Sequence, residues 1–531
     1  MLRRDRVTVG VLATLGVCAC TLHLYGTRQG IGLNADALIH LEAASNLVKG
    51  NGLVHGPAAR PLTHFPPLYP TILAFVGVML SVELQQAARL LNAVLWGANT
   101  FLVGSIIYRL SCQSMWLAVL GAALTLSSPA LLQVHSAALS EPLFILTAFL
   151  GLYMLTLYAT RRPPRLLQIA ALITSLALLT RYIGGVLVFT GSLWLLAARG
   201  RSFGRRLADG LQFGLIASLP LAAYTLYTSR ITGSIANRSL LWHPITMGHV
   251  RQALGTLSVY ALPAATPSFT RGLAVLGMMA ALGLCIAMLR EHAPSEGNLL
   301  SRSACRRDLM LFGSFAIWYM LGLLVSISTF DANTPLSSRI LIPILVAFLV
   351  FALGGVGLLT HAHNRTVRIL GLLPFMVLTA LYATAYWPRV QDMHLNGQRY
   401  SGARYESSAL VQAIRELSAN TPLLTNNSTV LYLMTGHESS QLPWKYKPTT
   451  LEPNANYRKW VERAVEQLRR QGGLIVYLTV DPTPRWQVKL SELREIASME
   501  VILSTDEGVL LRPLPPDAGR AGSETPVRSL P

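Results

Sequence analysis

An apolar run about as long as a bilayer is thick recurs again and again through the first three quarters of this chain. Crossing a hydrocarbon core takes roughly 17–25 predominantly apolar residues, wound so that the backbone bonds to itself where water is absent. Such runs lie near 7–26, 87–108, 115–134, 139–159, 166–180, 183–198, 208–229, 272–290, 309–328, 340–360 and 367–387. Only 13% of the residues are charged and 52% are hydrophobic, against about 25% charged in soluble domains. A water-soluble globular fold is excluded. The opening MLRRDR followed by VTVGVLATLGVCACTLHLYG reads as a retained first span rather than a cleaved leader.

The net charge is +19, and its placement matters more than its size. Residues 1–388 hold 27 of the 44 basic residues but 10 of the 25 acids, whereas the remainder is nearly balanced. The excess therefore sits in loops between spans, where it marks the cytoplasmic side. No basic stripe interleaved with aromatics is present, so nucleic acid is not an expected partner. With Arg3, Arg4 and Arg6 in the cytoplasm, the stretch LTHFPPLYPTILAFVGVML (62–80) decides every later loop. If it does not cross, Arg109, the RRPPR turn (161–165), Arg199 to Arg206 and Arg302 to Arg307 all face the cytoplasm. If it crosses, RRPPR lands outside, against the charge rule. The stretch is therefore expected to be a juxtamembrane helix within a long first exterior loop, 27–86. Pro66, Pro67 and Pro70 suit its start, where a missing N–H costs nothing. The acids then sort by side: Asp36, Glu42, Glu83, Glu141 and Asp331 outside, Asp5, Asp209, Glu291, Glu296 and Asp308 inside. The five cysteines imply no disulfide framework.

After Trp387-Pro388 the composition becomes that of a small soluble unit. TPLLTN (421–426) and LIVYLTV (474–480) read as buried strands. Residues 457–471 read as an amphipathic helix with Trp460, Val461, Val465 and Leu468 on one face. A hairpin is expected to turn at Asp506-Glu507-Gly508. The expected fold class is an all-α polytopic membrane protein of about 11 transmembrane helices, with juxtamembrane helices in the first exterior loop. The transmembrane domain takes 1–388, a small C-terminal α/β extracytoplasmic domain takes 389–515, and 516–531 forms a disordered tail.

The first exterior loop carries the most chemistry. ADALIHLEAASNLVKG reads as a helix capped by Asn34, with Asp36 and His40 on one face. An acid and a histidine four apart can act as general base and partner, or as metal ligands. An acid in a first turn can equally do no more than complement the helix dipole.

This loop, with its ADxxxHLxAAxNLxxGxGL pattern and the following PPLYP, resembles that of the GT-C-type glycosyltransferases. That group includes the dolichyl-phosphate-mannose–protein mannosyltransferases and the bacterial lipid A aminoarabinose transferases. AARLLNA (87–93), HSAALSEPLF (135–144), LLTRYIGGVLV (178–188) and SSRILIPIL (337–345) extend the likeness in order. The resemblance implies a bacterial inner-membrane enzyme with a cytoplasmic N-terminus. It would transfer a hexosyl or pentosyl group, with inversion, from a polyprenyl-phosphate donor to an extracytoplasmic protein, lipid or polysaccharide. Asp36 matches the family's first-loop acid and is the candidate base, but Ala37 stands where many relatives carry a second acid. Arg89, Arg181 and Arg339, at exterior span ends, are candidates for the donor phosphate, with Lys49 a weaker one. Glu141 is either a helix-capping acid or a second carboxylate of the site. His40, His64, His135 and Tyr182 complete the candidate set. His55 and His64 could join Asp36 around a divalent metal, and that question stays open. The alternatives are a transporter or flippase of lipid-linked saccharides, which calls for ionisable residues in mid-span and repeated halves, and a membrane-anchored binding protein acting through its C-terminal domain.

The charge reading makes a direct prediction. A cysteine introduced as Asn51→Cys should react with an impermeant maleimide on intact cells, and Pro163→Cys only after permeabilisation.

Overall fold

The computed structural model describes residues 2–56, 59–198, 200–233, 240–264, 266–276, 299–360, 365–398, 400–402, 405, 407–448, 450–479 and 484–515. Helix α1 (Leu2–Gly26) is followed by α2 (Ala35–Val48). Asn34 caps α2 by accepting from the Ala37 backbone N–H at 2.8 Å. A short antiparallel ribbon, β1 (Val54–His55) with β2 (Arg60–Pro61), leads to α3 (Leu68–Leu80). Helix α3 spans about 20 Å at 1.5 Å per residue, well short of the roughly 30 Å hydrocarbon core. It ends at Ser81 in the left-handed region (φ 52°) and reverses into α4 (Leu84–Leu110). The proline-led stretch thus lacks the length of a span, and it lies against α2 and α4.

The rest of the bundle is set by prolines and tight turns. Helices α5 (Met115–Ser127) and α6 (Pro129–His135) meet at a 59° bend before Pro129, whose ring cannot continue the preceding helix. Helix α7 (Glu141–Arg161) stops at Arg162, again left-handed (φ 61°), and Pro163 leads into α8 (Pro164–Thr180). RRPPR is therefore one hairpin turn. A single 3₁₀ turn, Tyr182–Gly184, then connects α8 to α9 (Gly185–Leu196). There follow α10 (Phe203–Thr232), α11 (Met247–Ala261), α12 (Leu299–Thr329), α13 (Ser338–Thr360) and α14 (Arg365–Asn396).

Among the described residues, α1, α4, α7, α10, α12 and α13 are long and apolar enough to cross a membrane. The bent pair α5–α6 makes a seventh if it is one span. The chain is a multi-pass membrane protein. Two of the eleven apolar runs of the sequence, in α8 and α9, are apolar but short, and the 367–387 run lies in the long helix α14. The 272–290 run from residue 277 onward, and the tail 516–531, lie outside the described residues.

Aromatic side chains fill the bundle centre, with Phe149 meeting Phe315 edge-on at 5.8 Å and lying beside Phe312. Helices α1 and α4 approach at backbone distance. A Cβ on Gly97 would lie 2.4 Å from Cys20 Sγ and 2.7 Å from the Gly16 carbonyl oxygen, the kind of contact small residues allow between membrane helices.

The polar networks divide between the two ends of the bundle. At the end where α1 begins, Tyr108 donates to Asp5 at 2.6 Å. Arg109 and Arg307 reach Asp308 at 3.4 and 2.7 Å, and Arg201 and Tyr158 meet on Asp209. Asp36, Glu141, Arg181 and Arg339 collect at the end where α1 finishes.

Beyond α14 come α15 (Ala409–Arg415), β3 (Leu423–Thr425), α16 (Ser428–Thr435), β4 (Ser440–Gln441), α17 (Tyr457–Arg470), β5 (Leu474–Leu478), α18 (Leu490–Ile496), β6 (Met499–Ser504) and β7 (Gly508–Pro513). Among the described residues the strands form one sheet of order β4-β3-β5-β7-β6. Strand β3 runs parallel to β4 and β5, and the other pairs are antiparallel. The expected β6–β7 hairpin is present. Helix α17 buries Val461, Val465 and Leu468 but leaves Trp460 47% exposed. The face read from the sequence was one residue too wide, because Trp460 lies about 100° from Val461 around a 3.6-residue helix. One hydrophobic cluster joins this α/β layer to the first loop, with Leu38 and Leu41 of α2 and Tyr69 and Leu73 of α3 sharing it with Leu410, Val430 and Leu431.

Gly97→Ala is expected to force α1 and α4 apart and to cost about 1–3 kcal/mol, as overpacking does. A lowered thermal midpoint of the purified protein in detergent would register it.

Candidate active site

Four charged side chains from four separate segments form a continuous chain at one end of the bundle. Arg339, in the first turn of α13, places Nη1 2.5 Å from Asp36 Oδ2 and its Nε against Glu141 Oε1. Arg181 Nη1 lies 2.5 Å from the same Glu141 oxygen. The order is Asp36–Arg339–Glu141–Arg181.

Local sequence explains each position. Asp36 stands in the first turn of α2, where Asn34 fixes the start and the dipole favours an anion. Glu141 opens α7 just before Pro142, and the helix N-cap is Ser140 rather than Glu141. Arg181 sits in extended conformation at the end of α8, where RYIGG turns the chain back. Gly184 is required in that turn, since a Cβ there would lie 2.8 Å from Leu178 Cα. Arg339 is held through its neighbours: Tyr260 Oη donates to the Ser338 carbonyl at 2.6 Å and Tyr319 Oη to the Ile340 carbonyl at 3.1 Å.

The two carboxylates differ in environment. The Glu141 side chain is 2% exposed and holds two guanidiniums, whereas that of Asp36 is 31% exposed and holds one. Burial pushes the Asp36 carboxyl upward, but the charge and hydrogen bond of Arg339 outweigh it, and the carboxyl ends below its ordinary range. Asp36 is therefore ionised at neutral pH, and Glu141 is the anchor of the network.

His40 lies one turn after Asp36 yet is not its hydrogen-bond partner. Its ring is buried between Phe65, with centroids 4.4 Å apart, and Tyr69 at 5.0 Å, and neither ring nitrogen has a partner among the described residues. Burial brings its pKa down to about 3, against the pull of Asp36 and Glu141. His40 is neutral, and Arg339 takes the place next to Asp36 that the four-residue spacing offered it. His64 meets Phe65 edge-on at 4.5 Å, near enough for its charge to act on Asp36. Tyr182 Oη donates to the Thr63 carbonyl at 3.0 Å and Tyr224 Oη to the Leu62 carbonyl at 2.6 Å, which pins the segment just before His64.

Three candidates from the sequence lie elsewhere. Arg89 donates to Thr27 Oγ1 at 3.2 Å and the Leu24 carbonyl at 2.8 Å, tying α4 to the end of α1. His135 is buried against Leu131, Asn99 and Trp96 and braces the α6 bend. Lys49 follows α2 at its far end, about 20 Å along the helix from Asp36. His55 lies beside Glu42 rather than Asp36. Among the described residues no three His, Cys, Asp or Glu side chains converge on a point that could hold a metal ion. Sequence reasoning passed over Tyr69, whose buried hydroxyl has no hydrogen-bond partner among the described residues and whose charge interaction is with Glu141. The PPLYP motif contained it, but only as a helix start.

No protein-family model matches this sequence, and no curated protein sequence does. The fold does have counterparts among solved structures. ArnT from Cupriavidus metallidurans in the apo state superposes with a TM-score of 0.57 at 13% identity, over 94% of this chain and 97% of that one. The same protein bound to undecaprenyl phosphate gives 0.54 at 14% identity, over 94% and 98%. This chain has the fold of the GT-C glycosyltransferases. AglB, an archaeal oligosaccharyltransferase from Archaeoglobus fulgidus, gives 0.54 at 12% identity over 89% of this chain and 69% of its own. The mycobacterial arabinofuranosyltransferase AftD gives 0.53 at 15%, over 94% of this chain and 39% of its own. The GT-C resemblance of the sequence motifs thus extends to the whole architecture.

Glu141→Gln would leave Arg181 and Arg339 close together without their shared anion. Breaking such a buried pair costs about 3–5 kcal/mol, so this variant should unfold at lower temperature than Asp36→Asn, whose site is wetter.

Proposed function

We propose that this protein is an inverting glycosyltransferase that moves a sugar from a polyprenyl-phosphate donor to an extracytoplasmic acceptor. The observation that carries the reading is the Asp36–Arg339–Glu141–Arg181 chain at one end of a GT-C bundle. Charge counting supports an exterior position for that end and a cytoplasmic N-terminus, and the family resemblance favours a bacterial inner membrane. The C-terminal α/β unit, 389–515, then lies outside as well.

The chemistry needs two things of the protein. A carboxylate must take the proton of the acceptor hydroxyl as its oxygen attacks the anomeric carbon. Cations must stabilise the phosphate that leaves with the electron pair of the broken C–O bond. Arg339 and Arg181 supply the cations, and Glu141 keeps both in place. Asp36 is the exchangeable partner: a donor phosphate that takes up one edge of the Arg339 guanidinium releases the Asp36 carboxylate to act as base. A planar guanidinium suits this exchange because it offers two edges to oxyanions. The neutral His40, with Phe65 and Tyr69, forms an aromatic wall beside the base. Which sugar moves, and whether it goes to protein, lipid or polysaccharide, depends on contacts with the bound substrates. No observation favours the flippase reading.

Purified protein given a polyprenyl-phosphate sugar and acceptor should release free polyprenyl phosphate. Asp36→Asn should lower that release by about 10²–10⁴-fold, the usual worth of a general base, while keeping its thermal midpoint within the wild-type range in detergent. Full turnover by a folded Asp36→Asn protein would falsify the assignment.

A further inference from the structure

At the end of the bundle opposite Asp36, a small pocket opens between α7, α9, α10 and α12. Tyr158, Arg162, Trp194, Arg201, Asp209 and Arg307 line it. Arg201 lies over the Tyr158 ring at 5.3 Å and Arg307 over the Trp194 ring at 5.5 Å, so the aromatic faces fix both guanidiniums in direction.

Positive charge is in excess here. Arg201 and Arg205 share Asp209, and Arg109 and Arg307 share Asp308. Arg162, at the left-handed end of α7, has no carboxylate partner among the described residues. Three part-buried guanidiniums, of Arg109, Arg201 and Arg307, thus share two buried carboxylates, and the exposed Arg162 and Arg205 add to the positive side. A bound oxyanion would balance them, and forked guanidiniums are the side chains best shaped for phosphate.

The neighbouring surface indicates where that phosphate comes from. Helix α10 begins beside the pocket and carries Asp209 on one side. On another it carries Phe203, Leu207, Leu211, Leu215 and Leu219, one every four residues and all exposed. The pocket therefore lies at the end of a helix whose opposite side is apolar and exposed over roughly its first four to five turns.

We propose that this pocket binds the phosphate of an anionic phospholipid from the surrounding leaflet. Basic pockets between membrane helices take such headgroups. The inference does not rest on the transferase reading, because the pocket is at the other end of the bundle from its site.

Full-length protein in detergent micelles doped with phosphatidylglycerol or phosphatidylcholine, examined by native mass spectrometry, tests it. Wild type should retain phosphatidylglycerol and not phosphatidylcholine. R162Q/R307Q should weaken retention about thirtyfold, from two juxtamembrane cations lost. R161Q/R165Q removes equal charge from the same turn outside the pocket and should leave retention within about twofold. R162Q alone, at an exposed helix end, should weaken it about fivefold and serves if the double variant does not fold. Equal loss in both double variants would reduce the effect to diffuse loop charge and overturn the proposal. So would retention of both lipids alike, or a rise in thermal midpoint with inorganic phosphate in phosphatidylcholine micelles as large as that with phosphatidylglycerol.

Discussion

The guanidinium of Arg339 joins parts of the chain that have no other reason to meet. It touches the first loop through Asp36 and the α7 entrance through Glu141, and Glu141 passes the connection on to the α8–α9 turn through Arg181. A charge at the edge of a hydrocarbon layer is expensive unless it is paired, so none of these segments can shift alone without exposing another's charge. That mutual dependence ties the four side chains into one unit. It also separates the two carboxylates: the more deeply buried Glu141 holds two guanidiniums, and the wetter Asp36 holds one.

The same economy governs the whole bundle. Acids and arginines occur at its two ends, and between them the helices pack through aromatic rings and glycine contacts. Each end has its own closed network, and the two differ in character. At one, carboxylates and guanidiniums alternate along a single chain. At the other, arginines outnumber the acids they share.

Much of this was legible in the sequence because it depends on local rules. Asn34 capping α2, the prolines opening α3, RRPPR as a hairpin and the sorting of acids by end all follow from helix-terminus chemistry and span parity. Strands β3, β5, β6 and β7 and the amphipathic α17 came from local patterns of apolar and turn residues, whereas the two-residue β4 left no such pattern. What the sequence could not disclose is which way each helix is turned about its axis. Rotation decides that Arg89 faces Thr27 and Leu24 rather than Asp36. It decides that His135 is an internal brace, and that Glu141 bridges two arginines instead of capping its helix. Spacing offered His40 as the partner of Asp36, but the ring fits an aromatic slot whose walls, Phe65 and Tyr69, come from a segment about 25–30 residues on. The distinction between long and short spans was equally hidden, since an apolar run does not reveal where a turn will cut it.

Helix α2 has the bundle on one flank and the α/β layer on the other, and Leu38 and Leu41 belong to a core that also contains Leu410, Val430 and Leu431. The residue at position 36 is thereby mounted on a beam clamped between two bodies. A protein built this way cannot be cut cleanly at the last membrane helix: the cut would remove one jaw of the clamp. A graft replacing the C-terminal unit would succeed only if it reproduced the surface that grips α2.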